Sequence, residues 1–364
     1  MRIIEEEQLD FDDLMLMPQH SDMNSRKEVI LERTIKWIGN DGVMHSFVCI
    51  PIMAANMIGI GCPSIAKVLV RNKCICTMEK HYSFEELDKL YEEVKQMEIE
   101  DGVLERTYTN LIFPTIGIKE NLDTLKKLAS IQYVNGIVLD VPNAYIPNVM
   151  TRLKELVELF PHAFISVGNI VTSERAYTLL EAGATAVKVN IGAGSCCLTR
   201  QLTNCGRPQA SAVIDCANAA HNLHKFVISD GGCKNEGHIA TAFCCGADFV
   251  MTGSMFNGCD EMESEIVERN GKKFKIAMGS SSRRAQNLVF GGMSNYRASE
   301  GREILVPCKG PLQNTLNSIF GGLRSTGTYI GSHELKDFNK HANFYKVRRT
   351  LNTLYSNNEN IANN

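Results

Sequence analysis

Short apolar runs rich in β-branched residues recur along this chain, and amphipathic stretches fill the intervals between them. Eight runs read as strands: residues 47–53, 74–78, 110–116, 136–141, 163–167, 186–190, 226–229 and 248–252. Each is nearly continuous in apolar character rather than alternating, which suits a parallel strand covered on both faces. The stretch opening Ser83-Phe-Glu-Glu86 predicts a helix with a capping box, Ser83 and Glu86 each accepting from the other's backbone amide. Residues 122–128 and 146–159, and the run opening at Thr172, predict further helices. Eight alternating units predict an α/β fold of the (β/α)8 TIM-barrel type. An open doubly wound sheet would begin with Gly-x-Gly-x-x-Gly after its first strand, and no such sequence follows 47–53.

Beyond Gly258 the alternation stops. Residues 261–275 predict a hairpin turning at Asn270-Gly271, followed by the polar stretches Gly279–Ser282 and Gly291–Gly301. A long insertion on a barrel reads as a functional lid, here a flap over about residues 256–303 after the eighth strand. Residues 304–306 return as a strand and 312–320 as a helix. The expectation is one barrel domain over residues 1–354 and a frayed polar tail over 355–364.

Composition narrows the function classes. A net charge of −3 over 364 residues gives no electrostatic case for nucleic acid or membrane partners. The start lacks the pattern of a signal peptide, and no apolar run reaches the length of a membrane span. Thirteen cysteines, without paired Cys-x-x-Cys or His-x-x-x-His spacing, suit neither a disulfide framework nor structural zinc. A reducing, cytoplasmic compartment is expected.

The loops that follow barrel strands share one face, so residues distant in sequence meet there. Ser195, Gly231, Gly232, Gly253 and Ser254 follow strands six to eight, where backbone amides and hydroxyls commonly cradle a phosphate. The run Ile191-Gly-Ala-Gly-Ser-Cys-Cys-Leu-Thr-Arg200 adds two thiols on a glycine-rich turn, where N–H dipoles favour a thiolate. These features predict a phosphorylated ligand and a nucleophilic cysteine.

Six segments carry a resemblance: Asp10-Phe-Asp-Asp-Leu-Met-Leu-Met-Pro18, Gly192–Arg200, Pro208-Gln-Ala-Ser-Ala-Val213, Ser229-Asp-Gly-Gly-Cys233, Ala247-Asp-Phe-Val-Met-Thr-Gly-Ser254 and Tyr296-Arg-Ala-Ser-Glu-Gly301. In this order they resemble the IMP dehydrogenase/GMP reductase family from the first strand nearly to the end. The short flap, and the interval of about thirty residues between strands two and three, resemble the reductase branch. Dehydrogenases usually insert regulatory modules in that interval.

The resemblance implies reductive deamination of GMP to IMP by NADPH, with release of ammonia through a covalent thioimidate on Cys197. Cys196 would then be a packing residue. Thr199 and Glu300 would protonate the leaving amine. Met57, Ser195, Asp230, Gly231, Gly232, Gly253, Ser254, Gly279, Ser281, Arg297, Ala298, Ser299 and Gly301 would bind the nucleotide, Asp230 at the ribose. The NADPH positions would be Ser25, Arg26, Lys80, Asp140, Val141, Pro142, Asn143, Ile191, Gly192, Ser280, Tyr296, Ser325, Thr326, Gly327 and Thr328, with Ser25 and Arg26 reaching a neighbouring subunit. Carbonyls of Gly192, Gly194 and Cys197, beside Arg200, would hold potassium or another monovalent cation. A homotetramer is the family's habit.

The chain also departs from the family pattern. Ile58-Gly-Ile-Gly-Cys62 stands where Asp-Thr-Val-Gly-Thr is usual, Asn190 where glycine is, Ala193 where proline is, and Ser280 where reductases have Met. Three alternatives therefore stand beside GMP reduction. They are an IMP dehydrogenase lacking regulatory modules, a reductase of deoxy or modified purine nucleotides, and a non-catalytic nucleotide-binding barrel.

Overall fold

The protein's computed structural model describes residues 3–290, 292 and 298–347. Eight parallel strands form the barrel: β1 (Ile52–Ala54), β2 (Ile75–Thr77), β3 (Ile112–Phe113 resuming at Thr115–Ile116), β4 (Gly136–Asp140), β5 (Phe164–Ile170), β6 (Ala186–Val189), β7 (Phe226–Asp230) and β8 (Phe249–Thr252). The sheet starts and ends on the two halves of β3, so the ring closes through that strand. Pro114 divides it because proline has no N–H for the ladder, yet its carbonyl still accepts from Val138 N at 2.9 Å. All eight expected strands are present. The first is shorter than expected, because residues 47–53 span two elements.

Phe47–Cys49 belongs instead to a hairpin, Arg33–Ile38 paired antiparallel with Met44–Cys49. The apolar run continues through Pro51 without a break, so hydropathy alone cannot mark the change of sheet. This hairpin lies across the N-terminal end of the barrel. Trp37 and Phe47 meet Phe164 at centroid separations of 5.6 and 5.9 Å, and Phe47 meets Phe113 at 5.9 Å. Phe164 also contacts Phe226 and Phe249, both at 5.5 Å. Edge-on and tilted contacts of this kind seal the barrel floor without polar groups. β4 begins with glycine for the same reason: a Cβ at Gly136 would lie 2.3 Å from the Phe113 ring.

The helices begin where their caps predict. Ser83 and Glu86 close a capping box on Phe84–Glu100, and Thr172 accepts from Arg175 N ahead of Ser173–Glu181. Near the end of Phe84–Glu100, buried Glu98 accepts from the amides of Arg106, Tyr108 and Thr109 at 2.6–3.0 Å. One carboxylate thus organises the connection into β3.

The excursion after β8 forms its hairpin, Ile266–Arg269 with Lys272–Met278, and adds Glu303–Pro307 as a third strand. It also contains a helix, Arg283–Phe290, that the polar composition did not suggest. Ile58 packs against Ile276, Met278 and Ala285 in a small separate core. The unusual isoleucine therefore serves as an apolar seat for the hairpin. Buried Lys275 donates to the carbonyls of Cys259, Asp260 and Met262 at 2.7–2.9 Å, fixing the root of the excursion. The expected helix at 312–320 runs on to Ile330. The expected tail at 355–364 lies outside the described residues.

Candidate active site

At the C-terminal ends of the strands the barrel opens into a cavity of about 1290 Å³, the face where chemistry is expected in this architecture. Its lining includes Met57, Lys80, Asp140, Val141, Pro142, Asn143 and every residue from Asn190 to Cys197. It also includes Thr199, Arg200, Asp230, Gly231, Gly232, Gly253, Ser254, Gly279, Ser280, Ser281, Glu300 and Gly301. Most positions singled out from the sequence thus converge on one space.

The two thiols of the β6 loop face different surroundings. Cys196 is 3 % exposed and belongs to the main core, and burial pushes its thiol up against partial relief from Ser195 and Arg302. Cys197 is half-buried at the cavity wall, its Sγ 3.2 Å from Thr199 Oγ1. Thr199 Oγ1 in turn donates to Glu300 Oε2 at 2.6 Å. Sulfur, hydroxyl and carboxylate form one continuous hydrogen-bonded chain between the β6 loop and the flap.

Main-chain contacts bring the flap there. Leu198 N donates to Glu300 O at 2.6 Å and Arg302 N to Cys196 O at 3.0 Å, a short antiparallel bridge centred on Cys197 and Gly301. Arg302 Nε adds a bond to Ser195 O at 2.9 Å. The bridge requires glycine on the flap: a Cβ at Gly301 would sit 2.5 Å from Ser282 N. Ser299 donates to Gly301 O at 3.1 Å, and Ala298 is exposed; neither lines the cavity. Tyr296 and Arg297 lie outside the described residues.

Beside the strands, Gly231 and Gly232 take φ values of +80° and +81°, backbone open to glycine and suited to an anion-binding concavity. Ser254 Oγ donates to Cys233 O at 3.1 Å and joins the two late loops. A Cβ at Gly253 would stand 2.9 Å from Met57 Sδ, so the cradle stays open only with glycine there.

Lys188 was passed over in the sequence as one letter of an apolar strand. Its side chain is 2 % exposed and its Nζ reaches three acceptors: Asp230 Oδ2 at 2.8 Å, Asp140 Oδ1 at 3.0 Å, and Asn169 Oδ1. Burial works against the Lys188 charge, but the two carboxylates outweigh it and hold its pKa above the ordinary lysine value. Burial likewise pushes Asp140 up, while Lys188 and Lys80 outweigh it and keep the carboxyl below its usual range. Asp10, Phe11 and Asp12 of the N-terminal motif also border the cavity; Asp10 accepts from Gln209 N at 2.5 Å and pairs with Arg200 at 3.3 Å.

Two expected groups of residues are not at this cavity. Ser25 and Arg26 precede Val29, and Val29 packs on Gly327 so closely that a Cβ there would meet its methyls at 2.8 Å. The short turn Arg26–Glu28 lies against the helix Leu312–Ile330 that carries Ser325–Thr328, and none of Ser25, Arg26 and Ser325–Thr328 lines the cavity. Around the expected cation carbonyls, Gly194 O already accepts from Cys197 N at 3.0 Å. Arg200, its Nε donating to Ile191 O at 3.3 Å, packs under Gly192. The Arg200 guanidinium thus lies beside the expected carbonyls.

A loop thiol on β6, a flap carboxylate and a phosphate-type cradle thus share one barrel cavity. Residues 8–354 match the IMP dehydrogenase / GMP reductase domain, and the chain belongs to that family. It is 39 % identical over 361 residues to GMP reductase 1 of Homo sapiens, covering 98 % of this chain and 99 % of that protein. It is 38 % identical over 359 residues to GMP reductase of Caenorhabditis elegans (97 % and 96 % covered). A bacterial relative, GMP reductase of Shigella boydii serotype 18, is 38 % identical over 362 residues (98 % and 100 %).

Proposed function

We propose that this protein converts GMP to IMP and ammonia with NADPH as reductant. The observation that carries the reading is the Cys197–Thr199–Glu300 chain at the cavity wall. Carbon 2 of guanine bears an amine that must leave as ammonia. The Cys197 proton passes through the Thr199 hydroxyl to Glu300 as sulfur adds to that carbon, making it tetrahedral. Glu300 returns the proton by the same hydroxyl to the departing amine, leaving a thioimidate. NADPH supplies the hydride that replaces sulfur at carbon 2. Cys197 is released as thiolate and takes a proton from solvent, so one hydride and one proton are consumed per ammonia formed.

The donor set suits both ligands. The Gly231–Gly232 turn, Gly253, Ser254 and Ser195 would take the phosphate, Asp230 the ribose hydroxyls, and Gly279, Ser281 and the flap the base. On the other side of the cavity Lys80, Asp140, Val141, Pro142, Asn143, Ile191, Gly192 and Ser280 would hold the nicotinamide half of the dinucleotide. Ser25, Arg26 and Ser325–Thr328 would complete a neighbour's dinucleotide site in a homotetramer. No step is routed through potassium, because Arg200 and the Cys197 amide already engage the loop. Among the described residues no helix is long and apolar enough to cross a membrane, and a cytoplasmic setting suits the free thiols.

The test follows NADPH absorbance with GMP, dGMP or no nucleotide, with ammonia assayed in parallel. GMP-dependent NADPH loss matched mole for mole by ammonia is the expected result. In a further arm with IMP and NAD⁺, IMP-dependent reduction of NAD⁺ without any GMP-dependent NADPH loss would replace the proposal with a dehydrogenase; turnover confined to dGMP would change the substrate.

A further inference from the structure

We infer that Lys188 is a positioning residue that ties the nucleotide and dinucleotide halves of the cavity together through one buried ammonium. The inference rests on the ligand placement proposed above. Its three protons go to acceptors on three strands: Asp140 at the end of β4, Asn169 on β5 and Asp230 at the end of β7. Asp140 lies on the side assigned to the dinucleotide and Asp230 on the side assigned to the ribose, and both carboxylates line the cavity. An ammonium has three donors and no acceptor, so this one is saturated and cannot turn to contact a ligand itself. Its work is done through its partners.

Charge makes the arrangement more than a brace. The groups facing the two carboxylates are Lys188 from β6, Lys80 at 3.6 Å from Asp140 Oδ2, the Asn56 and Asn190 amides, and the Cys233 thiol next to Asp230. Lys188 is the cation they share. Both carboxylate oxygens lie about 3 Å from its nitrogen, so they stand within about 6 Å of each other. Without the ammonium the two carboxylates face each other with Lys80 beside Asp140 alone, and like-charge repulsion raises the pair's affinity for a proton. One residue would then lose its negative charge, and both ligands would feel the loss.

Binding of GMP and of NADPH, each measured alone on the full-length protein between pH 7 and 8.5, above the phosphates' own ionisation at about pH 6, tests this without relying on turnover. Lys188→Met is expected to weaken both ligands at least tenfold at pH 7, with affinity recovering as pH rises. Wild type should show no such limb. Lys188→Arg restores the cation and should bring back pH-independent binding of both. Asp140→Asn in the Lys188→Met background leaves one carboxylate and should remove the pH limb. Where Lys188→Met does not fold, the cycle Asp140→Asn, Asp230→Asn and the double variant replaces it. Sharing through Lys188 predicts effects on GMP affinity that depart from additivity by threefold or more. A pH-flat Lys188→Met protein, a loss confined to one ligand, or an additive cycle would overturn the inference. Wild type that binds both ligands but oxidises no NADPH with GMP would sink the proposed reaction while these binding results still decide the role of Lys188.

Discussion

The two ends of the barrel solve opposite problems with the same strands. At the N-terminal end Phe113, Phe164, Phe226 and Phe249 close on Trp37 and Phe47, and within this ring cluster the polar side-chain atom is Trp37 Nε1, which donates to His162 O at 3.2 Å. Toward the C-terminal end the strands carry Asp140, Asn169, Lys188 and Asp230, whose polar atoms meet one another, with Lys80, Asn56 and Asn190 alongside. Stability in that aromatic floor is area and shape, which tolerate any pH. At the second end it is charge held in place, which costs desolvation and puts charge where the proposed ligands would use it. The contrast teaches that a barrel separates what keeps it folded from what it does along the length of each strand.

Substitutions can break that separation or sharpen it. The largest effect is expected from Cys197→Ala: turnover should fall by at least ~10⁴-fold while GMP still binds, measured by initial rates and by calorimetry. If Cys196→Ala were the dead variant instead, the assignment of the nucleophile would be wrong. Glu300→Gln keeps the hydrogen bond to Thr199 but loses the proton carrier. It should lower kcat by about 10²–10⁴-fold with little change in melting temperature. Phe164→Ala acts at the other end: stability should drop by ~3–5 kcal/mol in denaturant titrations, with kcat per folded molecule unchanged.

Smaller effects come from the edges of each region. Cys196→Ala should cost about 1 kcal/mol of stability and leave turnover within threefold, since that thiol packs rather than reacts. The smallest is at the lower rim, where His221 pairs with Asp248 at 3.0 Å. The hydrogen bond to Asp248 holds the His221 pKa above its ordinary value despite partial burial. Its contribution is therefore complete below the ordinary histidine pKa and disappears as pH rises through the folded value. Melting curves of wild type and His221→Gln should differ at pH 5.5 and converge by pH 8.5, by well under ~1 kcal/mol given the exposure of the ring.

Much of this was legible in the residue pattern. The eight buried strands announce themselves because parallel strands covered on both faces have no polar alternation to disguise them. The thiol loop was legible because a glycine-rich turn after a strand sets its cysteines among N–H dipoles; of the two, Cys196 packs in the core and Cys197 faces the cavity. What escaped follows from the same rules. Lys188 hid because one charged residue in an apolar run looks like an exposed end, whereas it points into the barrel where two other strands bring it acids. The boundary after Cys49 hid because hydropathy does not record a change of sheet. Ile58 read as a lost polar contact, and only the packed hairpin shows it as a gained apolar one. Ser25, Arg26 and Ser325–Thr328 carry no signal of where a neighbouring copy would lie.

The bridge around Cys197 and Gly301 has a consequence for how this enzyme class can vary. Nucleophile and proton carrier are a hundred positions apart, yet their spacing is set by amide and carbonyl groups that every amino acid shares. The exposed side chains of Ile266–Arg269 in the hairpin can therefore differ without the acid losing its alignment to the sulfur. A change at Gly301, where an added carbon would collide with Ser282 N, or at Gly279, where one would meet Cys196 O at 2.8 Å, would pull the two apart.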